Sequence, residues 1–188
     1  MDHNKKSGKE WGYNWNSVKG CNDHYDYKVT LQAKVPSYLN LIVSAVNDGD
    51  VTIQKVDGNV RADNVNGSIS LMDVNQATYV CTINGDVKLD FNINPTQDAR
   101  YYSLNGDIKA NYKEELSAEI SFKSFNGDFY TNISKIEYLP AKVEVEDARK
   151  GKGISYKLNG KSMIRAGKGG AYLDFETFNG NVYVKEIN

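Results

Sequence analysis

Four nine-residue units, VTIQKVDGN, VRADNVNGS, ISLMDVNQA and TYVCTINGD, lie end to end over Val51–Asp86. Apolar or small residues recur at Val51, Ile53, Val56, Val60, Ala62, Val65, Ile69, Leu71, Val74, Thr78, Val80 and Ile83, in steps of two, three and four. A step of two is a strand with one buried face, whereas a helix repeats at three and four only. The step of four spans an Asn-Gly or Asp-Gly pair. Such a pair between strands ordinarily marks a two-residue hairpin, so a β-meander is the alternative. Parity favours a corner instead. In a hairpin around Asn66-Gly67, Ala62 and Val65 would point to opposite faces, yet the pattern buries both. Corners every nine residues describe a coiled solenoid, and Ala62 and Val65 on opposite faces would contradict that reading.

Two units make an 18-residue coil. Its main corner recurs at Gly49, Gly67, Gly85, Gly106, Gly127, Gly160 and Gly180, each after Asn or Asp. Glycine supplies the positive φ of a tight corner, expected at Gly85 and Gly106, and stacked Asn side chains can hydrogen-bond along the rod. The fold expected is therefore all-β: a single-domain parallel β-solenoid over 26–188, with coils of about 18–21 residues and Asn-Gly corners. Residues 1–25 read as a loosely ordered polar leader. Tyr27, Val29, Leu31, Ala33 and Val35 alternate and predict a strand ending at Pro36. Larger aromatics before the later corners, Phe125 and Phe178, suggest a core that widens toward the C-terminus. An insertion at about 134–153 holds KVEVE, a short strand, and the basic loop ARKGKG, read as disorder or a bulge.

Twenty-three basic and 24 acidic side chains give no electrostatic case for nucleic acid or an anionic membrane. No apolar run is long enough for a transmembrane helix, and MDHNKKSGKEWGYNW shows no signal peptide, so a cytoplasmic location follows if Met1 is the native start. Cys21 and Cys81 read as two unpaired thiols, Cys81 pointing outward. His3 and His24 both lie in the leader, which leaves no His-based catalytic site or zinc spacing in the repeats. The residue after the corner glycine is Asp50, Asp86, Asp107 or Asp128, but Asn59, Ser68, Lys161 and Asn181 stand in equivalent places. A calcium ladder would not tolerate Lys161, so these side chains are read as solvating a turn, and no cofactor or metal is expected. Asp174 and Glu176 are the candidate paired carboxylates for a carbohydrate-active enzyme. Mixed charges break up both outward faces. Partner binding is expected at the rod's ends, through Trp11 and Trp15 at one and Tyr172 and Tyr183 beside an unpaired strand edge at the other.

The segments VPSYLNLIVSAVNDGDVTIQKVDGNVRADNVNGSISL, TINGDVKLDF, SLNGDIKANY, SFNGDFYTNI and GGAYLDFETFNGNVYVKE resemble a bacterial adhesin family of NGD-repeat proteins, also described as a domain of unknown function. The resemblance covers roughly Tyr27 to the C-terminus, and the closing segment is similar to Bacteroidetes-type members. It implies a β-solenoid of parallel strands, export, a cell-envelope or surface location, an adhesin-like or scaffold role toward an envelope polysaccharide or protein, and no catalytic residue. A carbohydrate-active β-helix enzyme and an envelope-stress sensor module are the alternatives.

Overall fold

The computed structural model describes residues 29–47, 49–140, 143–147, 154–158 and 160–187. The chain divides into two units, residues 1–34 and 35–188. Of the first, only 29–34 are described. They form no strand, and Val29 is 80% exposed, so the strand expected over Tyr27–Val35 is corrected where it can be seen. Alternation gives an apolar face, but a strand also needs a neighbouring backbone to bond.

All regular structure among the described residues is β-strand: β1 (Leu41–Ala45), β2 (Val51–Asn66), β3 (Ile69–Asn84), β4 (Val87–Phe91), β5 (Ala99–Asn105), β6 (Ile108–Lys113), β7 (Ala118–Asn126), β8 (Phe129–Thr131), β9 (Ile136–Leu139), β10 (Val143–Asp147), β11 (Ile154–Leu158), β12 (Ser162–Ala166), β13 (Ala171–Asn179) and β14 (Val182–Ile187). Twelve belong to one curled, mixed sheet, while β10 and β11 pair antiparallel by themselves. The strand expected in KVEVE is thus present as β10, and ARKGKG lies outside the described residues.

The Asn-Gly pairs do not form hairpins. Val51 of β2 pairs in parallel with Ile69 of β3, and Ile69 in turn with Val87 of β4. Both long strands bend at mid-length, at Lys55 and Asp73, whose φ angles of 56° and 54° lie in the left-handed region. The sheet therefore has two stretches facing each other. The first halves of β2 and β3 continue through β4, β6, β14 and β8, all parallel. On the other side β1, the second halves of β2 and β3, β5, β13 and β7 are parallel, and β12 and β9 follow antiparallel.

The order in space is not the order in sequence. The C-terminal pair β13–β14 lies between β5–β6 and β7–β8. Neither β13 nor β14 is an edge, which corrects the expectation that Tyr172 and Tyr183 flank an unpaired edge. Among the described residues the free edges are β8 and β9 and, at the opposite end of the sheet, β1 with the first half of β2.

Between the two stretches lie the residues expected to be interior, Val51, Ile53, Val56, Val60, Ala62, Ile69, Leu71, Val74 and Val80, all buried. Each fully buried Leu or Ile contributes about 1.5–3 kcal/mol of apolar burial. Val65 is not among them. It is 37% exposed, on the face opposite Ala62, so the parity argument for a solenoid fails even though the parallel pairing stands. The buried place is taken by Asn64, because alternation in steps of two runs unbroken up to the corner. Phe125 and Phe178 point outward for the same reason. The aromatics inside the later strands are Tyr101, Tyr112 and Phe175, with Phe91 stacked on Tyr112 at 4.9 Å and Tyr101 packed on Phe175 at 5.0 Å.

Candidate functional site

The Asn-Gly corner is built from four columns of atoms, one for each sequence position. Gly67, Gly85, Gly106, Gly180 and Gly127 have φ between 146° and 158°, and each sits directly on the carbonyl of the glycine at the neighbouring corner. The positive φ expected at Gly85 and Gly106 is present. The deeper reason for glycine is this backbone approach, which any Cβ would block. Gly49 closes the column at one end, its carbonyl lying against Gly67. Gly160 stands outside the column: nothing lies within 4 Å of where its Cβ would be, so it is not the stacked corner expected.

The preceding asparagines form a ladder. Asn84 Nδ2 donates to Asn66 Oδ1, Asn105 to Asn84, Asn179 to Asn105 and Asn126 to Asn179, at 2.7–2.8 Å. The residue after each glycine also has a fixed task. Asp50 Oδ1 accepts from the Ser68 backbone N–H, Asp86 from Asp107, Asp107 from Asn181, and Asn181 Oδ1 from Asp128. Any short side chain with an acceptor oxygen suffices, which explains why Asp, Ser and Asn interchange there. The fourth column is internal. Asn64, Thr82, Ser103, Thr177 and Ser124 donate to the carbonyls of Gly49, Gly67, Gly85, Gly106 and Gly180 at 2.8–3.1 Å. This column went unread in the sequence, although a small polar residue three places before the glycine was its signal.

Between the internal column and the Asn ladder, the intervening side chains stand outward. Val65, Ile83, Leu104, Phe178 and Phe125 follow one another across β2, β3, β5, β13 and β7. This apolar ridge turns aromatic toward its end, where Phe178 and Phe125 stack at 4.7 Å and Phe125 is 69% exposed. Beyond the corner, Lys109, Tyr183 and Tyr130 form a second outward row. Tyr130 stacks on Tyr183 at 5.0 Å, and the Lys109 and Lys185 ammonium groups lie 5.5 and 5.9 Å from the Tyr183 ring. The Tyr130 hydroxyl donates to Asp128, whose charge, helped by slight desolvation, raises its pKa.

A charged cluster lies further along the ridge's own face, away from the corner. Lys161 Nζ donates to both Asp174 oxygens at 2.7 and 2.8 Å and lies 3.3 Å from Glu176, which Arg100 also meets at 3.3 Å. Burial works against the Lys161 charge, but Asp174 and Glu176 outweigh it and raise the pKa. The Ser121 hydroxyl beside Asp174 in the register is buried with no hydrogen-bond partner among the described residues. On the same face Arg61 covers the Tyr79 ring at 4.4 Å, and the free, half-buried Cys81 has its thiol pKa raised by burial, against the hydrogen bond that the Tyr79 hydroxyl donates to it.

Of the expected partner-binding residues, Trp11 and Trp15 lie outside the described residues, as does Cys21. Tyr172 and Tyr183 are not brought together. Tyr172 is half-buried on β13, its backbone N–H donating to Asp98 at 2.7 Å, while Tyr183 belongs to the stacked row on β14. The ridge around Phe125 was missed because those side chains had been assigned to the interior. No helix among the described residues is long and apolar enough to cross a membrane. Comparison of the chain with protein-family models, with curated proteins and with solved structures finds no match.

Proposed function

We propose that the chain is a non-catalytic, adhesin-like binding or scaffold module of the cell envelope or cell surface, in which the parallel strands wind as a β-solenoid turning at Asn-Gly corners. The observation that carries this reading is the pair of outward aromatic stacks, Phe178–Phe125 and Tyr183–Tyr130, on either side of one corner. Each stack has its terminal ring on the β7–β8 coil, and Asn126 and Asp128 stand between those two rings. Flat apolar surface beside amide and carboxylate groups suits a polysaccharide, whose ring faces are apolar and whose rim is hydroxylated. A carbohydrate-active enzyme would need a pair of carboxyl groups open to a substrate, and Asp174 and Glu176 are instead tied up by Lys161 and Arg100. Binding of envelope polysaccharide and of whole cells should therefore fall sharply in the Phe125→Ser/Tyr130→Ser variant while its melting stays close to that of the wild type. Equal binding by a well-folded variant would rule out the ridge as the binding surface.

A further inference from the structure

We propose that the outer edge of the β7–β8 corner, Ser124–Thr131, is a seat for one more Asn-Gly strand, supplied by a different polypeptide. The proposal is independent of the polysaccharide reading and rests on the unmatched half of the corner ladders. In every inner coil the same atoms are bonded by the next coil. Gly180 N–H donates to Asn126 O, Val182 N–H to Asp128 O, the Gly180 carbonyl accepts Ser124 Oγ, Asn179 Oδ1 accepts Asn126 Nδ2, and Asn181 Oδ1 accepts Asp128 N–H. On the last coil the equivalents are Gly127 N–H, Phe129 N–H, the Gly127 carbonyl, Asn126 Oδ1 and the Asp128 carboxylate. Among the described residues none of the five has a next coil, because the sheet ends at β8. Nor does β12 cover this edge, since its pairing with β7 reaches only from Ala118 to Phe122.

Two clefts run along the edge. One, of about 220 Å³, lies between Phe122, Gly127 and Ser162, and the other, of about 460 Å³, separates β8 from Ile136, Tyr138 and Ile164. A strand laid there adds backbone hydrogen bonds to β8, and the clefts take its alternate side chains, as in other strand additions. The ladders specify its sequence: a small polar residue, any residue, Asn, Gly, any residue, then apolar residues at alternate places. The glycine is required because a Cβ would strike the Gly127 carbonyl, as in the column below. A folded second copy does not fit this description. Its first corner reads Val46-Asn47-Asp48-Gly49, without the polar residue, and its five matching segments are already paired within the fold.

The test is fluorescence anisotropy with a labelled peptide, LDFETFNGNVYVKEI, which carries the full pattern. It should bind the folded chain saturably. Replacing its glycine by Ala, or Asp128→Ala in the protein, should each weaken binding by about tenfold, the loss of one to two hydrogen bonds. Circular dichroism confirms that the Asp128→Ala protein is folded. Amide exchange on the free protein is the second measurement, and Gly127 and Phe129 should exchange fast. Four outcomes would overturn the proposal: no saturable binding; equal binding of the Ala peptide; binding that depends on Asp107 rather than Asp128, which would place the peptide between β6 and β8; or slow exchange at Gly127 and Phe129, which would show the edge already occupied. Self-association abolished by Asp128→Ala would also overturn it, by placing a second copy there.

Discussion

Gly106→Ala tests the stacked corner most sharply when set against Gly160→Ala. At Gly106 a Cβ would lie 2.5 Å from the Gly85 carbonyl carbon, closer still to its oxygen, and 3.0 Å from the Asp86 nitrogen. Both neighbours are backbone, so no rotamer change relieves the clash. The φ of 154° adds strain of about 1–3 kcal/mol for a non-glycine residue. Separating the coils to make room stretches the bonds from Ser103 to the Gly85 carbonyl, from Gly85 N–H to Asn105, and from Asn105 to Asn84. Losing two of these costs roughly 2 kcal/mol. The total is about 3–5 kcal/mol, a fall in melting temperature of roughly 10 °C for a domain of this size. Gly160 also has a left-handed φ, 64°, but open space around it, so Ala there should cost only about 1 kcal/mol. Thermal unfolding followed by circular dichroism checks both variants. If Gly106→Ala melts within ~2 °C of Gly160→Ala, the column is not held by close backbone contact and the reasoning is refuted.

Further expectations concern the interior. Thr82→Val keeps the shape but strands the Gly67 carbonyl, and should lower stability by about 1–3 kcal/mol in denaturant unfolding. Tyr101 donates to the Ala77 carbonyl, and the buried Tyr112 hydroxyl meets only the Tyr101 hydroxyl, so Tyr101→Phe should destabilise by about 1 kcal/mol and Tyr112→Phe by less. Burial raises the pKa of both tyrosines, and the Asp174–Glu176 pair, acting against burial, raises that of Lys161. Groups with raised folded values contribute stability fully below their unfolded pKa, about 10 for these residues, and lose it as pH climbs toward the folded values. Stability should therefore be insensitive to these groups near neutral pH and decline above about pH 10, less steeply in Tyr112→Phe. Truncation after Gly170 should do more than fray an end, because it removes the strands that join β7–β8 to β5–β6. A single cooperative transition matching the full chain would contradict that.

The sequence reveals each strand–corner–strand unit better than it reveals how the units pair. Steps of two identified the buried residues Val51, Ile53, Ala62, Leu71 and Val80, and the recurrent Asn-Gly located the corners. Val65 was misplaced because an apolar residue was assumed to be inward. Packing at the corner is instead set by the hydroxyls and amide of Asn64, Thr82, Ser103, Thr177 and Ser124, which must reach the glycine carbonyls. Strand order was not legible for a physical reason. Every corner offers the same Asn, Gly and acceptor atoms, so the ladders accept any neighbour. What differs is side-chain size: Phe178 meets Phe125, Tyr183 meets Tyr130, and Phe175 packs against Tyr101, so matching aromatics accompany β13–β14 into its place. That choice depends on contacts across 53 to 74 residues of sequence, beyond the reach of a nine-residue pattern.

The insertion of the C-terminal strand pair is the central structural claim, and NOEs on an isotopically labelled sample test it most directly. The structure predicts contacts from Val182 and Val184 to Ile108 and Ala110 on one side and to Phe129 and Thr131 on the other. Contacts running directly from Ala110 to Thr131, with Val184 touching only one of them, would contradict it.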